Sequence, residues 1–81
     1  MPSRKLIEIT WERGHEIRGR DADVWRRDEE GNIIRFGSYG TQGEYGWEID
    51  HRHPIAKGGT DNPRNLRPLQ WEENREKSDK T

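Results

Sequence analysis

Four tryptophans are spread along a chain that is otherwise poor in apolar residues, and they limit the kind of core it can build. The chain has 81 residues, of which 26% are hydrophobic and 38% are charged. A chain this short buries only about 60% of its unfolded surface, so its stability is marginal. Each tryptophan can bury on the order of 200 Å² and anchor a thin core. We therefore predict one small domain packed around Trp11, Trp25, Trp47 and Trp71.

The composition excludes several classes of protein. There is no cysteine, which excludes disulfides and a cysteine-ligated zinc site. No apolar run approaches the roughly 20 residues of a membrane span, and no signal-peptide pattern opens the chain. We expect a cytoplasmic protein that does not associate with membranes. The net charge of −1 is not typical of a nucleic-acid-binding domain, although the placement of charge matters more than its sum.

The N-terminal segment gives mixed signals about its structure. We expect residues 1–9 to be partly disordered and residues 10–81 to form the domain. Apolar residues between positions 6 and 17 mix two-residue and helical spacing. We predict a short helix here that begins with Thr10 as its N-cap, because threonine is a favourable capping residue.

A hairpin is predicted in the next part of the chain. Residues 24–28 and 33–36 are rich in apolar and basic side chains, and they flank a turn that contains Gly31 and Asn32. Both turn residues can adopt positive φ, as hairpin turns require. Residues 37–46 contain many glycines and form a connecting loop in this prediction.

From residue 47 onwards, the pattern predicts a strand, a loop, a second strand and a helix. Trp47 and Ile49 alternate with two acids, as expected for a strand with two different faces, and Pro54 prevents its continuation. The other predicted elements are a capped helical turn at residues 61–63, an edge strand at 66–69 interrupted by Pro68, and a helix from Gln70 to about Lys80 with Trp71, Asn74, Arg75 and Ser78 on one face.

Residues 46–79 carry the groups that metal-dependent hydrolysis of a phosphodiester requires. That reaction needs a base to deprotonate water, positive charge near the phosphorus and stabilisation of the leaving oxygen. Asp50 and Asn74 offer hard oxygen ligands of the kind that Mg²⁺ prefers. Histidine is the side chain whose charge changes near neutral pH, so His51 is the candidate general base, and we expect activity to fall as it protonates. It faces the same site as Asp50 only if the strand ends or bends there.

The same residues resemble the motif of the HNH endonuclease family, in its form with asparagine at the third motif position. Asn65 follows His51 by fourteen positions, and Asn74 follows Asn65 by nine. The resemblance covers residues 46–79 and extends more weakly upstream through residues 25–39. It is carried by Asp50, His51, Pro54, Lys57, Gly58, Gly59, Asn65, Leu66, Leu69, Asn74 and Lys77.

This resemblance implies a fold and a role for each motif residue. The fold would be a small α+β domain with a ββα-metal core (the HNH, or His-Me, finger), an additional N-terminal hairpin and a short helix. The catalytic residues would be His51, as general base, and Asn65, which would hold the loop that bears the base. The metal ligands would be Asp50 and Asn74, and Lys77 would lie near a phosphate.

One departure from the family pattern concerns a second metal. Many members carry paired cysteines around the hairpin that form a structural zinc site. Here the corresponding positions resemble Gln70 and Glu73, so we expect no structural zinc. The tryptophans, with Trp47 and Trp71 as anchors, would replace it.

The expected cofactor is Mg²⁺, Mn²⁺ or another divalent ion, and the expected partner is nucleic acid, with double-stranded DNA favoured. Contacts to phosphate carry no sequence information, so we expect low sequence specificity. Two alternatives stay open: a non-catalytic nucleic-acid-binding module of the same fold, and a ribonuclease or toxin-like nuclease. A monomer and a homodimer both fit the sequence. The candidate phosphate contacts are Arg52, His53, Lys57, Arg64, Arg67, Arg75 and Lys77, with a structural role equally open for His53.

Overall fold

The computed structural model of the chain describes residues 2–79. Two helices and five short strands form two antiparallel sheets, one with the order β1-β2-β3 and one that pairs β4 with β5. The α+β fold class is confirmed. The elements are α1 (Arg4–Trp11), β1 (His15–Glu16), β2 (Trp25–Arg27), β3 (Ile33–Arg35), β4 (Trp47–His51), β5 (Leu66–Gln70) and α2 (Trp71–Asp79), with 3-10 turns at Phe36–Ser38, Ile55–Lys57 and Pro63–Asn65.

Helix α1 begins earlier than the sequence indicated. Its N-cap is Ser3, whose hydroxyl accepts a hydrogen bond of 3.1 Å from the backbone N–H of Leu6. The prediction of Thr10 as N-cap was wrong, because Thr10 lies in the last turn and its hydroxyl donates to the Leu6 carbonyl. Residues 4–9, expected to be partly disordered, are helical, while Met1 lies outside the described residues.

The hairpin predicted before the motif segment is present as β2 and β3. Trp25 pairs with Arg35 and Arg27 pairs with Ile33 across the two strands. Gly31 supplies the positive φ of the turn, at +89°. β1 adds a third strand to this sheet by pairing with β2, which the sequence did not predict.

The core consists of a small aromatic cluster. Trp11, Ile34 and Trp47 are buried at its centre. The Trp47 ring lies 5.3 Å from the Trp11 ring and 5.0 Å from the Tyr39 ring, between centroids. Its indole N–H donates to the Arg35 carbonyl at 2.9 Å, so the polar atom of the buried ring is satisfied. Trp25 and Trp71 are only half-buried and pack outside this centre.

Strands β4 and β5 are followed directly by α2, which gives a ββα unit. The strands pair from Trp47 with Gln70 to His51 with Leu66. The side chain of Gln70 accepts hydrogen bonds from the backbone N–H groups of Glu72 and Glu73 and so begins α2. The predicted extension of this helix to Lys80 lies outside the described residues. Within residues 2–79, no helix has the length and apolar character needed to cross a membrane.

Candidate metal centre

The carboxylate of Asp50 is the buried charge around which the site is built. Asp50 lies near the end of β4 and is only 6% exposed. The ammonium of Lys77 lies 2.8 Å from both of its oxygens, and Nε of Arg67 lies 2.8 Å from Oδ2. Two cations therefore neutralise one carboxylate that could not be buried alone.

Asn74 reaches the same region from α2. Its side-chain N–H donates a 2.9 Å hydrogen bond to Glu48 on β4, and Arg75 also pairs with Glu48, at 3.4 Å. Because the amide nitrogen is used in this way, the amide oxygen is the atom available as a ligand. Lys77 follows Asn74 by three positions, so both side chains lie on the same side of the helix.

His51 is the last residue of β4, and this position resolves how it can share a site with its neighbour Asp50. The strand ends there, and both side chains line one cavity of about 270 Å³ together with Asn74 and Lys77. The Nε2 atom of His51 lies 2.7 Å from Oδ1 of Asp61, which is exposed. A carboxylate at that distance favours the tautomer with its proton on Nε2 and leaves Nδ1 as the basic nitrogen.

The loop between β4 and β5 is held in shape by Asn65. Its side-chain oxygen accepts from the backbone N–H of His53 at 2.7 Å. Its side-chain nitrogen donates to the carbonyls of His53 and Thr60, at 3.0 and 2.7 Å. A Cβ at Gly59 would collide with the His53 carbonyl oxygen, so glycine is required where the loop folds back on itself. These contacts tie together the loop that follows His51.

The candidate phosphate contacts divide into paired and unpaired cations. Arg52 and Arg67 both pair with Glu29. The pKa of Arg52 is lowered by burial and then by the neighbouring charges of Arg67 and Arg13. Arg75 is paired with Glu48, and Lys77, with 31% of its side chain exposed, lies against Asp50. His53, Lys57 and Arg64 are exposed, and none of them forms an ion pair within the described part of the chain.

Asp50 and Asn74 offer oxygen atoms of the kind that a divalent cation binds. The Lys77 ammonium contacts three oxygens, the two of the Asp50 carboxylate and the His51 carbonyl at 3.1 Å, so these oxygens already bind one positive charge. No group of three or more His, Cys, Asp or Glu side chains within residues 2–79 could hold a metal ion. A metal bound here would therefore take few protein ligands and keep several waters, as Mg²⁺ commonly does.

A hairpin and a helix, with a carboxylate, an imidazole and an amide lining one cavity, define a ββα domain. The family model described as HNH endonuclease matches residues 36–80, more than half of the chain. The chain therefore belongs to the HNH endonuclease family. This membership indicates nuclease activity on nucleic acid in general, in a family that uses divalent metal ions. Searches of the curated proteins and of the solved structures found no match.

Three acids of the site were not recognised in the sequence. Glu48 could have been found, because it alternates with Asp50 and so lies on the same face of β4. Asp61 pairs with His51, ten positions earlier, and no local pattern connects the two residues. Glu29 lies far upstream in the turn between β2 and β3, and no local pattern connects it with β4 or β5.

Proposed function

We propose that this protein is a divalent-metal-dependent endonuclease that hydrolyses phosphodiester bonds in double-stranded DNA with low sequence specificity. The observation that carries the proposal is one cavity lined by Asp50, His51 and Asn74, with the Lys77 ammonium lodged against the carboxylate. These are an oxygen ligand, a base and a second oxygen ligand on separate elements. Their convergence supports hydrolysis more strongly than any one of them alone.

His51 acts as the general base in this proposal. Its Nε2 atom is engaged by Asp61 at 2.7 Å, so Nδ1 is the nitrogen that takes the proton from water. Asp61 orients the ring and stabilises the imidazolium that forms, as a carboxylate does beside other catalytic histidines. Asn65 contributes by holding the adjacent loop, which fixes the approach to His51.

Asp50 and Asn74 would hold the metal ion, Mg²⁺ or Mn²⁺, through a carboxylate oxygen and an amide oxygen. Such an ion would supply positive charge for the phosphorane-like transition state and for the leaving oxygen. Lys77 must leave Asp50 for this ligand set to form, and its flexible side chain then provides a cation for a substrate phosphate. Arg67 stays on the other oxygen of Asp50 and holds the carboxylate in place.

Exposed basic side chains of the β4–β5 loop supply the contacts to the DNA backbone. Lys57, Arg64 and His53 are exposed there. Contacts of this kind fix the position of the duplex without reading its bases, which is the reason for proposing low sequence specificity.

A non-catalytic nucleic-acid-binding module is the second candidate, and one specific observation favours it. Asp50 is already neutralised by Lys77 and Arg67, so the site is stable without any metal. A protein that never released Lys77 would keep the fold and the basic surface but would not hydrolyse DNA. The two candidates therefore differ in whether a divalent ion displaces this ammonium.

The test is nicking of supercoiled plasmid in Mg²⁺, with and without a chelator. We expect nicking that the chelator abolishes, and a loss of about a hundredfold or more in His51→Ala, as for removal of a general base. His15→Ala is the matched control, because His15 lies exposed on β1, outside the cavity. Cutting that persists in chelator, or an undiminished His51→Ala, would remove the proposal. The same assay on duplex and single-stranded RNA distinguishes the ribonuclease alternative.

A further inference from the structure

We propose that Glu29, in the turn between β2 and β3, is a positioning residue for the metal ligand Asp50. Glu29 lies upstream of residues 36–80, the segment matched by the family model, so nothing in the motif assigns it a role. The inference rests on the proposed function in one respect: it takes Asp50 to be a ligand of a divalent cation. It adds that the N-terminal hairpin controls how that ligand is presented.

A continuous chain of charged contacts joins the two acids. One oxygen of Glu29 accepts hydrogen bonds of 2.9 Å from Nη1 of Arg67 and from Nη1 of Arg52, and its other oxygen pairs with Nη2 of Arg52. The Nε atom of Arg67 then donates to Oδ2 of Asp50 at 2.8 Å. The side chains of Arg67 and Asp50 are 15% and 7% exposed and that of Glu29 is 28% exposed, so the path is shielded from water at its Arg67–Asp50 end.

The geometry of arginine makes this chain a positioning device. The guanidinium is planar and rigid, so a carboxylate that fixes Nη1 also fixes the direction of Nε–H. Glu29 thereby determines where Arg67 holds Oδ2 of Asp50. Arg67 contacts only Oδ2, so the hydrogen-bond partner of Oδ1 among the described side chains is Lys77. Oδ1 is therefore the oxygen presented to a metal ion.

The charge of Glu29 acts in the same direction. Arg67 places a positive charge beside a site that must accept a divalent cation, and the two positive charges repel one another. Glu29 offsets that charge from the far side of the guanidinium. Removing the charge of Glu29 should weaken cation binding in two ways. Arg67 would be held less firmly, and its positive charge would no longer be offset.

The experiment measures Mn²⁺ binding without nucleic acid, by the electron paramagnetic resonance signal of free Mn²⁺ at about 0.15 M salt. We expect Glu29→Gln to raise the dissociation constant about tenfold, the lower end of the effect of removing a partner of a metal ligand. Glu30→Gln is the matched control: Glu30 is the next residue of the same turn, carries the same charge and is exposed. Its change should be less than about twofold, because Arg52 and Arg67 pair with Glu29 and not with Glu30, and a screened charge outside that network acts weakly on Asp50.

A second variant and a second readout separate positioning from folding. Arg67→Lys keeps the charge but loses the planar fork that couples the two carboxylates, and we expect a similar loss of affinity. Nicking at saturating Mn²⁺ should remain within about threefold of wild type in Glu29→Gln, since the ligand itself is unchanged. Near-UV circular dichroism reports whether each variant keeps its tryptophan packing.

Three outcomes would overturn the inference. The first is an equal shift in Glu29→Gln and Glu30→Gln, which would reduce the effect to overall charge. The second is unchanged affinity in Glu29→Gln while the wild type binds Mn²⁺, which leaves the nuclease proposal intact. The third is loss of the near-UV signal in both Glu29→Gln and Arg67→Lys, which assigns Glu29 a structural role. Failure of the wild type to bind Mn²⁺ would instead refute the proposed function itself.

Discussion

Asp28 and Gln70 are forty-two positions apart in the sequence, yet the Asp28 carboxylate accepts a 2.9 Å hydrogen bond from the backbone N–H of Gln70. Asp28 is 1% exposed. The same carboxylate accepts from the backbone N–H groups of Glu30 and Asn32, at 3.0 and 2.8 Å. One buried side chain thus joins the turn of the β2–β3 hairpin to the point where α2 begins.

This relationship predicts a large cost for Asp28→Asn. The amide keeps the shape of the carboxylate but loses the charge, and it presents a donor to a site surrounded by donors. A buried donor left without a partner costs about 1–3 kcal/mol, so we expect a loss of about 2–3 kcal/mol in urea unfolding. Asp23→Asn is the control, because Asp23 is exposed and should stay within about 0.5 kcal/mol. Equal stability of the two variants would contradict this account.

The aromatic core predicts unequal costs for two tryptophans. Trp47 is fully buried and its N–H is bonded to the Arg35 carbonyl, so Trp47→Ala should cost about 3–5 kcal/mol, enough to unfold much of the population. Trp71 is half-buried, and Trp71→Ala should cost roughly half as much, in proportion to the area it removes from water. Urea unfolding of each variant, followed by tyrosine circular dichroism, measures the two losses of stability. A larger loss in Trp71→Ala than in Trp47→Ala would contradict this prediction.

Much of the fold could be predicted because its signals are local. Gly31 marks the turn of the first hairpin, and apolar alternation from Trp47 marks β4. The start of α1 was missed because Ser3 and Thr10 are both acceptable N-caps, and packing decided between them. The inward face of the helix carries Ile7 and Trp11, which pack in the core only if the helix begins before them. That information lies in tertiary contacts and not in local spacing.

The site was predictable only in part, for a related reason. Asp50, His51 and Asn74 carry a recognisable spacing, and the structure places them on one cavity. Their partners are held by contacts between distant segments, such as the pair of Arg67 with Glu29, thirty-eight positions apart. The spacing of residues along the sequence does not predict a pair of this kind. The sequence likewise predicts Arg67 and Arg75 as phosphate contacts without showing that they pair with acids of the site.

Tyr39 predicts a loss of stability at alkaline pH. The pKa of Tyr39 is raised above its usual value of 10.0, first by burial and then by the negative charge of Glu48. The folded chain favours the neutral phenol more than the unfolded chain does. The contribution of Tyr39 to the free energy of unfolding is therefore fully present below about pH 10 and is lost as the pH rises through the raised pKa. Tyr39→Phe should flatten the fall in urea midpoint above pH 10, whereas Tyr45→Phe should retain it. An unaltered fall in Tyr39→Phe would contradict the prediction.

Low sequence specificity predicts that unrelated duplexes are cut at similar rates. The exposed cations Lys57 and Arg64 can contact phosphates, which are the same in every sequence. Short labelled duplexes of random sequence, cut in Mg²⁺ and resolved at single-nucleotide resolution, should give a broad ladder. One dominant cut site shared by different duplexes would show that bases are read. A high-salt series serves as the control, because binding through phosphates weakens steeply as salt rises.

Lys77 is predicted to oppose metal binding while supporting catalysis. Lys77→Met should therefore raise the affinity for Mn²⁺ and lower the rate of nicking. In the structure its ammonium lies 2.8 Å from both oxygens of Asp50, and a metal ion must displace it. An ion pair of this kind is worth on the order of 1 kcal/mol, so Mn²⁺ affinity without nucleic acid should rise roughly threefold to tenfold. Nicking at saturating Mn²⁺ should fall, because the cation that would contact the substrate phosphate is gone.

The control for that prediction is Lys57→Met, which removes an exposed lysine of the β4–β5 loop and should leave Mn²⁺ affinity unchanged. Thermal unfolding without metal supplies a further check. Lys77→Met leaves Asp50 with Arg67 alone, so the variant should unfold at a lower temperature than wild type and recover more on addition of Mn²⁺. Weaker Mn²⁺ binding in Lys77→Met would mean that the ammonium organises the ligand instead of competing for it, and Asp50 would then depend on two positioning cations rather than one.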